Sequence, residues 1–219
     1  MKDRAENRGI SRPAEIALTI AGIFLLSPLF LLIPLLIKFS SHGAVLFRQK
    51  RVGLGGKEFV LYKFRSMHDK AGGVRLTATN DLRLTKVGKW LRRYKLDELP
   101  QLWNVLRGEM SLVGPRPEVP EYVDLENPLW NEILSVRPGI TDPISIRLRN
   151  EERLLSKAEN KEIFYKEILL PFKLRGWAEY ARRKSFGNDL SIILKTFKAI
   201  LLPNTVPPPT LDELMISDS

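Results

Sequence analysis

The chain has no cysteine and only two histidines, His42 and His68, among its 219 residues. A disulfide framework and a thiolate zinc site are therefore excluded, and an imidazole metal cluster has too few ligands to form. The redox compartment stays open. Nucleotide loops are missing too: Gly53, Gly55 and Gly56 cluster together, but without the Gly-Lys-Ser/Thr ending of a P-loop or the spacing of a dinucleotide loop, so they read as a turn. There is no internal repeat. Acids are outnumbered, 25 against 35 Lys and Arg, for a formal charge of +10. That balance implies an anionic partner, whether nucleic acid, acidic lipid headgroups or a phosphorylated substrate. The length suits one well-buried domain with an appendage.

One long apolar run is present. From Ala14 to Ile37 the residues are almost all apolar, and about 24 helical residues span roughly 36 Å, enough to cross a bilayer core. Lys2, Arg4, Arg8 and Arg12 precede the run, and Lys38, Arg48, Lys50 and Arg51 follow it. The positive-inside bias therefore draws both ends to the cytoplasmic face, which only a segment that turns back satisfies. Ser27-Pro28 lies near the middle: Pro28 removes a helix N–H, and the Ser27 hydroxyl can bond a nearby carbonyl and lower the cost of a bend. A re-entrant helix-break-helix is expected, with Pro34 a second distortion. A plain spanning anchor, a signal peptide and a buried soluble helix are the alternatives.

Beyond it, the runs AVLF and KEFVLYKF flank the glycine cluster and suggest a small hairpin. Alternation places Lys63 and Arg65 on one face, where they can hold a phosphate or line a solvated strand. Helical spacing runs from about Asp81 to Tyr94 and again through LDELPQLWNVLRG, with Pro100 in the first turn and Asp97 at or beside the N-cap. Pro115 and Pro117 stiffen the chain around Arg116, a candidate anion clamp. Helical patterns cover roughly 128–136 and then a charged stretch over 151–184, most simply a solvated face. Leu190, Ile193, Leu194, Phe197, Ile200 and Leu201 form an apolar stripe, expected by default to pack on the core, with the membrane surface as the alternative.

The chemistry centres on Asp97 and Glu98, adjacent acids among Arg92, Arg93, Lys95 and Arg107. They read either as an ordinary cap and first-turn acid or as a site. In the second case one carboxylate attacks phosphorus brought to the helix start while the other holds magnesium. The string LDELPQLWNVLRGEMSLVGPRP, preceded by FRQKRVGLGGKEFVLYKFRSM and followed by RPGIT, resembles the bacterial sugar transferases, the monotopic polyprenol-phosphate phosphoglycosyl transferases, in a minimal form. The resemblance runs from about Pro13 to Thr196 and includes the Ser-Pro break.

It implies an enzyme of the sugar-phosphate transferase class (EC 2.7.8 type) that moves a phosphosugar from a nucleotide diphosphate sugar, usually a UDP-sugar, to polyprenol phosphate. The products are polyprenyl-diphosphate-sugar and UMP, in the first membrane step of glycan synthesis. By the same resemblance Asp97 is the covalent nucleophile, Glu98 a ligand to Mg2+, and Arg92, Arg116 and Arg149 stabilise phosphate oxygens; Lys63, Arg65 and Arg137 complete the phosphate-binding candidates. After RPGIT many members continue with a glycine, where this chain has Asp142-Pro143, and an acidic residue common in the family aligns with Trp177.

The expected architecture is α+β and mostly helical. A basic N-terminus and re-entrant helix occupy 1–39, a catalytic domain with a small β-hairpin and amphipathic membrane-surface helices 40–202, and a flexible Pro-rich and acidic tail 203–219. The expected location is the cytoplasmic face of the bacterial inner membrane, monotopic among its lipids, with no nucleic-acid partner. A silent membrane scaffold and a membrane-tethered nucleic-acid or anion binder are the alternative functions. The identity of the sugar and the oligomeric state are not encoded in these motifs.

Overall fold

The structure, a computed structural model, describes residues 8–68, 81–202 and 205–215. Lys2, Arg4, Pro203 and the last four residues lie outside that range. The apolar run folds as two helices, α1 (Arg12–Leu25) and α2 (Ser27–Ser40), bent by 59° at Leu26. Pro28 sits in the first turn of α2, where its missing N–H costs least, while Pro34 is carried inside the helix. The Ser27 hydroxyl makes no hydrogen bond among the described residues, so the expected side-chain assistance to the bend is not seen. No single described helix is long and apolar enough to cross a membrane; the bent pair is, by length and composition. Large apolar side chains cover its outer surface, Phe24 at 82% exposure and Phe39 at 88% among them.

Both ends of the pair are tied to the remainder of the protein. At the start, Arg12 donates to the carbonyls of Val105 and Met110 and pairs with Glu15 at 2.9 Å. Glu15, nearly fully buried, accepts in turn from the Ser111 hydroxyl and from the Leu112 amide at 2.8 Å. At the far end Ile33 and Ile37 are buried against Phe64 and Leu91, with Leu96 and Leu99 packed alongside.

Two antiparallel strands, β1 (Leu46–Val52) and β2 (Glu58–Phe64), form the expected hairpin around the glycine turn. The first strand runs through the basic residues after AVLF, because register with β2 extends to Val52. Helix α3 is shorter than its pattern, Lys86–Arg93, capped by the Thr85 hydroxyl on the Gly88 amide at 2.8 Å. Next come a 3-10 turn at Leu96–Glu98, α4 (Gln101–Leu106) and β3 (Ser111–Val113), then α5 (Pro128–Ile133) and β4 (Gly139–Thr141). Strands β3 and β4 pair in parallel, so the SLVGPRP and RPGIT strings are one small sheet.

After β4 comes α6 (Pro143–Arg147), and the charged stretch then divides into α7 (Glu151–Leu155), α8 (Lys161–Phe164), a π-turn at Tyr165–Leu169, and α9 (Leu170–Arg183). Most of its charges form the solvated face expected, with Lys173 and Lys184 buried as exceptions, while the apolar face between them, Tyr165, Leu169, Phe172, Leu174 and Trp177, joins Trp130, Ile133 and Ile144 in the largest core. The apolar stripe belongs to α10 (Phe186–Leu201), and most of it does not pack inward. Leu194 and Phe197 are each 61% exposed, leaving Ile192 and Ala199 to face the core. The tail is also unlike its expectation. Leu211–Met215 forms a short helix, α11, whose Leu214 is buried in the main core while Glu213 pairs with Arg147 at 2.7 Å.

Gly114 and Gly139 lie back to back across β3 and β4, and a Cβ on either would overlap the other's backbone. Gly139→Ala is expected to cost about 1–3 kcal/mol through forced separation of the strands. Thermal unfolding in detergent checks this; a melting point equal to wild type would show the contact to be dispensable.

Candidate active site

The acid pair does not cap a long helix. Lys95 adopts a left-handed backbone, φ 58°, the one non-glycine residue with positive φ among the described residues. This turns the chain out of α3 into the tight turn at Leu96–Glu98, closed by the Glu98 and Leu99 amides on the carbonyls of Lys95 and Leu96. The α-helix begins only after Pro100 and has six residues, with no side-chain cap. The expected dipole at Asp97 is therefore replaced by a strained turn, a conformation that persists where its surroundings over-determine it. Those surroundings are Leu96 and Leu99, which anchor the turn against α2.

Asn104 sets the turn against the hairpin. Fully buried, it accepts from the Tyr62 amide at 3.2 Å and donates to the Val60 carbonyl at 2.7 Å, so that a side-chain amide completes the free edge of β2. It also donates to Glu109 at 2.7 Å. Lys63, on the same strand, is thereby brought to Glu98. Sequence reasoning passed over Asn104; the signal was a polar residue inside the short apolar run LWNVL.

Glu98 is nearly buried and held by two cations. Arg116 reaches it through both terminal nitrogens, at 2.6 and 3.2 Å, and Lys63 at 3.3 Å. Burial alone would raise its pKa, but Arg116, Lys63 and Lys95 outweigh this and hold the carboxyl well below the usual carboxylate range. Arg116 is correspondingly raised, with Glu98 the main cause. Lys63 responds differently: burial lowers it to about 8, only partly opposed by Glu98. Beside this group Asp97 is also buried, and its Oδ1 has no hydrogen-bond partner among the described residues. An unpaired buried carboxylate oxygen next to two cations can accept a bond to an electrophile drawn in by those cations.

Of the candidate phosphate ligands, the structure brings Lys63 and Arg116 to the acids. Arg65 turns the other way, donating to the Ser41 carbonyl and hydroxyl at 2.9 Å, so it does not share a face with Lys63. Arg92 pairs with Glu152, while Arg149 donates to the carbonyls of Ala199 and Arg93. Arg137 donates to the Gly108 carbonyl at 2.9 Å. Trp177 donates its indole N–H to the buried Asp142 at 3.0 Å, and Asp142 also caps α6 through the Ile144 and Ser145 amides. Burial pushes the Asp142 carboxyl up.

Residues 6–203 match the description of the bacterial sugar transferases. The chain belongs to that family. It is 45% identical over 197 residues to a UDP-N-acetylgalactosamine-undecaprenyl-phosphate N-acetylgalactosaminephosphotransferase of Aeromonas hydrophila, covering 88% of this chain and 44% of that protein. A UDP-glucose:undecaprenyl-phosphate glucose-1-phosphate transferase of Xanthomonas campestris pv. campestris is 40% identical, over 84% of this chain and 37% of its own length. The chain thus spans less than half of these two relatives. The exopolysaccharide production protein ExoY of Rhizobium meliloti is 35% identical over 87% of this chain and 85% of its own length.

The electrostatics of this bacterial sugar transferase site are open to direct titration. Lys63 is expected to lose its proton near pH 8, read from lysine side-chain NMR. Glu98→Gln should move that value down, because the carboxylate favours the charged amine, and Arg116→Met should move it up. Shifts of the opposite signs would contradict the arrangement.

Proposed function

We propose that this bacterial sugar transferase moves a phosphosugar from a UDP-sugar to polyprenol phosphate, through a covalent intermediate on Asp97. The observation that carries the reading is the buried, unpartnered Oδ1 of Asp97 beside a Glu98–Lys63–Arg116 cluster. The activities for which the Aeromonas and Xanthomonas relatives are named support the substrate classes.

Asp97 attacks the sugar-bearing phosphorus; the new P–O bond forms as the bond to UMP breaks, and UMP leaves with the electron pair. An oxygen of polyprenol phosphate then attacks the same phosphorus, expelling the Asp97 carboxylate and giving polyprenyl-diphosphate-sugar. Arg116 and Lys63 lie where they can stabilise phosphate oxygens as bond order changes. Glu98, held ionised, keeps these cations in place. Mg2+ is commonly held by one or two carboxylates plus substrate phosphates, and Glu98, an ionised carboxylate whose oxygens accept here from Arg116 and Lys63, is the side chain beside Asp97 that could exchange part of that pairing for the ion. Glu98 would hold it, and when bound it would neutralise diphosphate charge.

The bent helix pair supports a re-entrant, monotopic placement at the cytoplasmic face of the bacterial inner membrane, where lipid acceptor and enzyme share a surface. Exposed apolar residues on α10 add a second lipid-facing element.

Purified protein with Mg2+, polyprenol phosphate and a panel of UDP-sugars should release UMP from one donor. Asp97→Asn is expected to reduce the rate by at least about 10³-fold, the scale seen when an enzyme loses a group central to its chemistry. Release unaffected by that change would refute the covalent role. For topology, single cysteines replacing Arg8 and Lys50 should both react with a membrane-impermeant thiol reagent only from the cytoplasmic side; labelling on opposite sides would mean a spanning segment.

A further inference from the structure

The exit of the Pro115-Arg116-Pro117 loop runs into a buried charged group that the proposed chemistry does not use. Two residues beyond Arg116, Glu118 is almost completely buried. One of its oxygens accepts from the Tyr165 hydroxyl, and the other lies 3.5 Å from Arg51 of β1. Arg51 also donates to the Pro117 carbonyl at 2.9 Å. On the far side Lys173, only 4% exposed, donates to the Tyr165 hydroxyl at 3.2 Å and to Glu151 at 2.8 Å, and stands 3.7 Å from Glu118.

Ordinary helix geometry does not supply this contact. Tyr165 and Lys173 are eight residues apart, more than two turns along a helix. The intervening π-turn at Tyr165–Leu169, followed by Pro171 with no N–H to give, rearranges the helix at that point. Such π-turns are costly and frequently occur at functional sites. Burial holds the Tyr165 phenol well above its ordinary range, so it remains a proton donor to Glu118.

A buried lysine, tyrosine and glutamate, with the partly exposed Glu151 at their edge, are an expensive way to fill a core, since apolar residues of equal volume commonly serve stability as well or better. Their distinctive product is location: Tyr165, Lys173 and Arg51 meet at Glu118, two residues beyond Arg116, and Arg51 also holds the Pro117 carbonyl. We infer that Glu118, Tyr165 and Lys173 are positioning residues, a buried anchor that fixes the Pro115-Arg116-Pro117 loop and thereby seats the Arg116 guanidinium on Glu98. The inference rests on the reading of Arg116 as a stabiliser of substrate phosphate.

A double-mutant cycle tests it. Tyr165→Phe removes one hydroxyl and should lower kcat/KM for the UDP-sugar by about 10–100-fold, the scale of supporting-shell losses at metal sites. In an Arg116→Lys background the same change should have little further effect, within about twofold, because its route to the chemistry is already cut. Glu118→Gln, which keeps the packing volume, should behave the same way and serves if Tyr165→Phe fails to fold. Independent of activity, hydrogen exchange at the Arg116, Glu118 and Val119 amides should quicken about tenfold or more in either variant, with α4 and β2 unchanged. Effects that multiply across the cycle, or a loop whose exchange stays at wild-type rates, would overturn the anchor. A wild-type protein that releases no UMP would instead refute the proposed function, while the exchange measurement would still decide whether the loop is held.

Discussion

A carboxylate taken almost wholly out of water stays ionised only if cations follow it in, and Glu98 imposes that demand on the surrounding structure. Arg116 and Lys63 come from elements far apart in sequence, a proline-stiffened loop after β3 and the second strand of the hairpin. Much of the local architecture is what it takes to bring them together. The left-handed Lys95 aims the turn, Asn104 closes β2 against α4, and the glycine-to-glycine approach of β3 and β4 fixes where the loop starts. The same demand makes the site responsive: a second cation lowered to about 8 is charged at neutral pH but easily discharged.

The parts of this design with local signatures were legible in the sequence. Pro28 in a long apolar run marks the bend, glycines between strand-like runs mark the hairpin, and paired prolines mark a stiff arginine. The acid pair stood out because it interrupts a basic stretch. What could not be read was three-dimensional pairing. Lys63 and Arg65 alternate as neighbours on a strand, but the strand ends at Phe64, which frees Arg65 to turn to Ser41. Asp97 looked like a helix cap because Pro100 suits a first turn; the left-handed residue ahead of it, carried by a lysine and not a glycine, left no trace.

Charge was legible for most of the chain and misleading at a few positions. The residues between Glu151 and Lys184 have the composition of a solvated helix and most of their charges are exposed, but Lys173 is inside, compensated by Glu118 and Glu151 from other elements. Apolarity misled in the opposite sense on α10, where the stripe points outward. Both errors have one cause. A periodic pattern reports that two faces differ, and the surroundings decide which of them is buried. Asp142 and Trp177, far apart in sequence, answer each other through a single hydrogen bond.

The bend at Leu26 acquires a mechanical meaning from the attachments on either side of it. A kinked helix pair fastened at one end would swing like a hinge. Here Arg12 and Glu15 fasten the first leg to the segment around Met110, and Ile33 and Ile37 fasten the second to the wall carrying Leu96 and Leu99. With both legs clamped to one body, the tip can travel only if the legs themselves flex. The pair is therefore a braced strut: the position of its bend at Leu26 and that of the turn carrying Asp97 are set together when the chain folds.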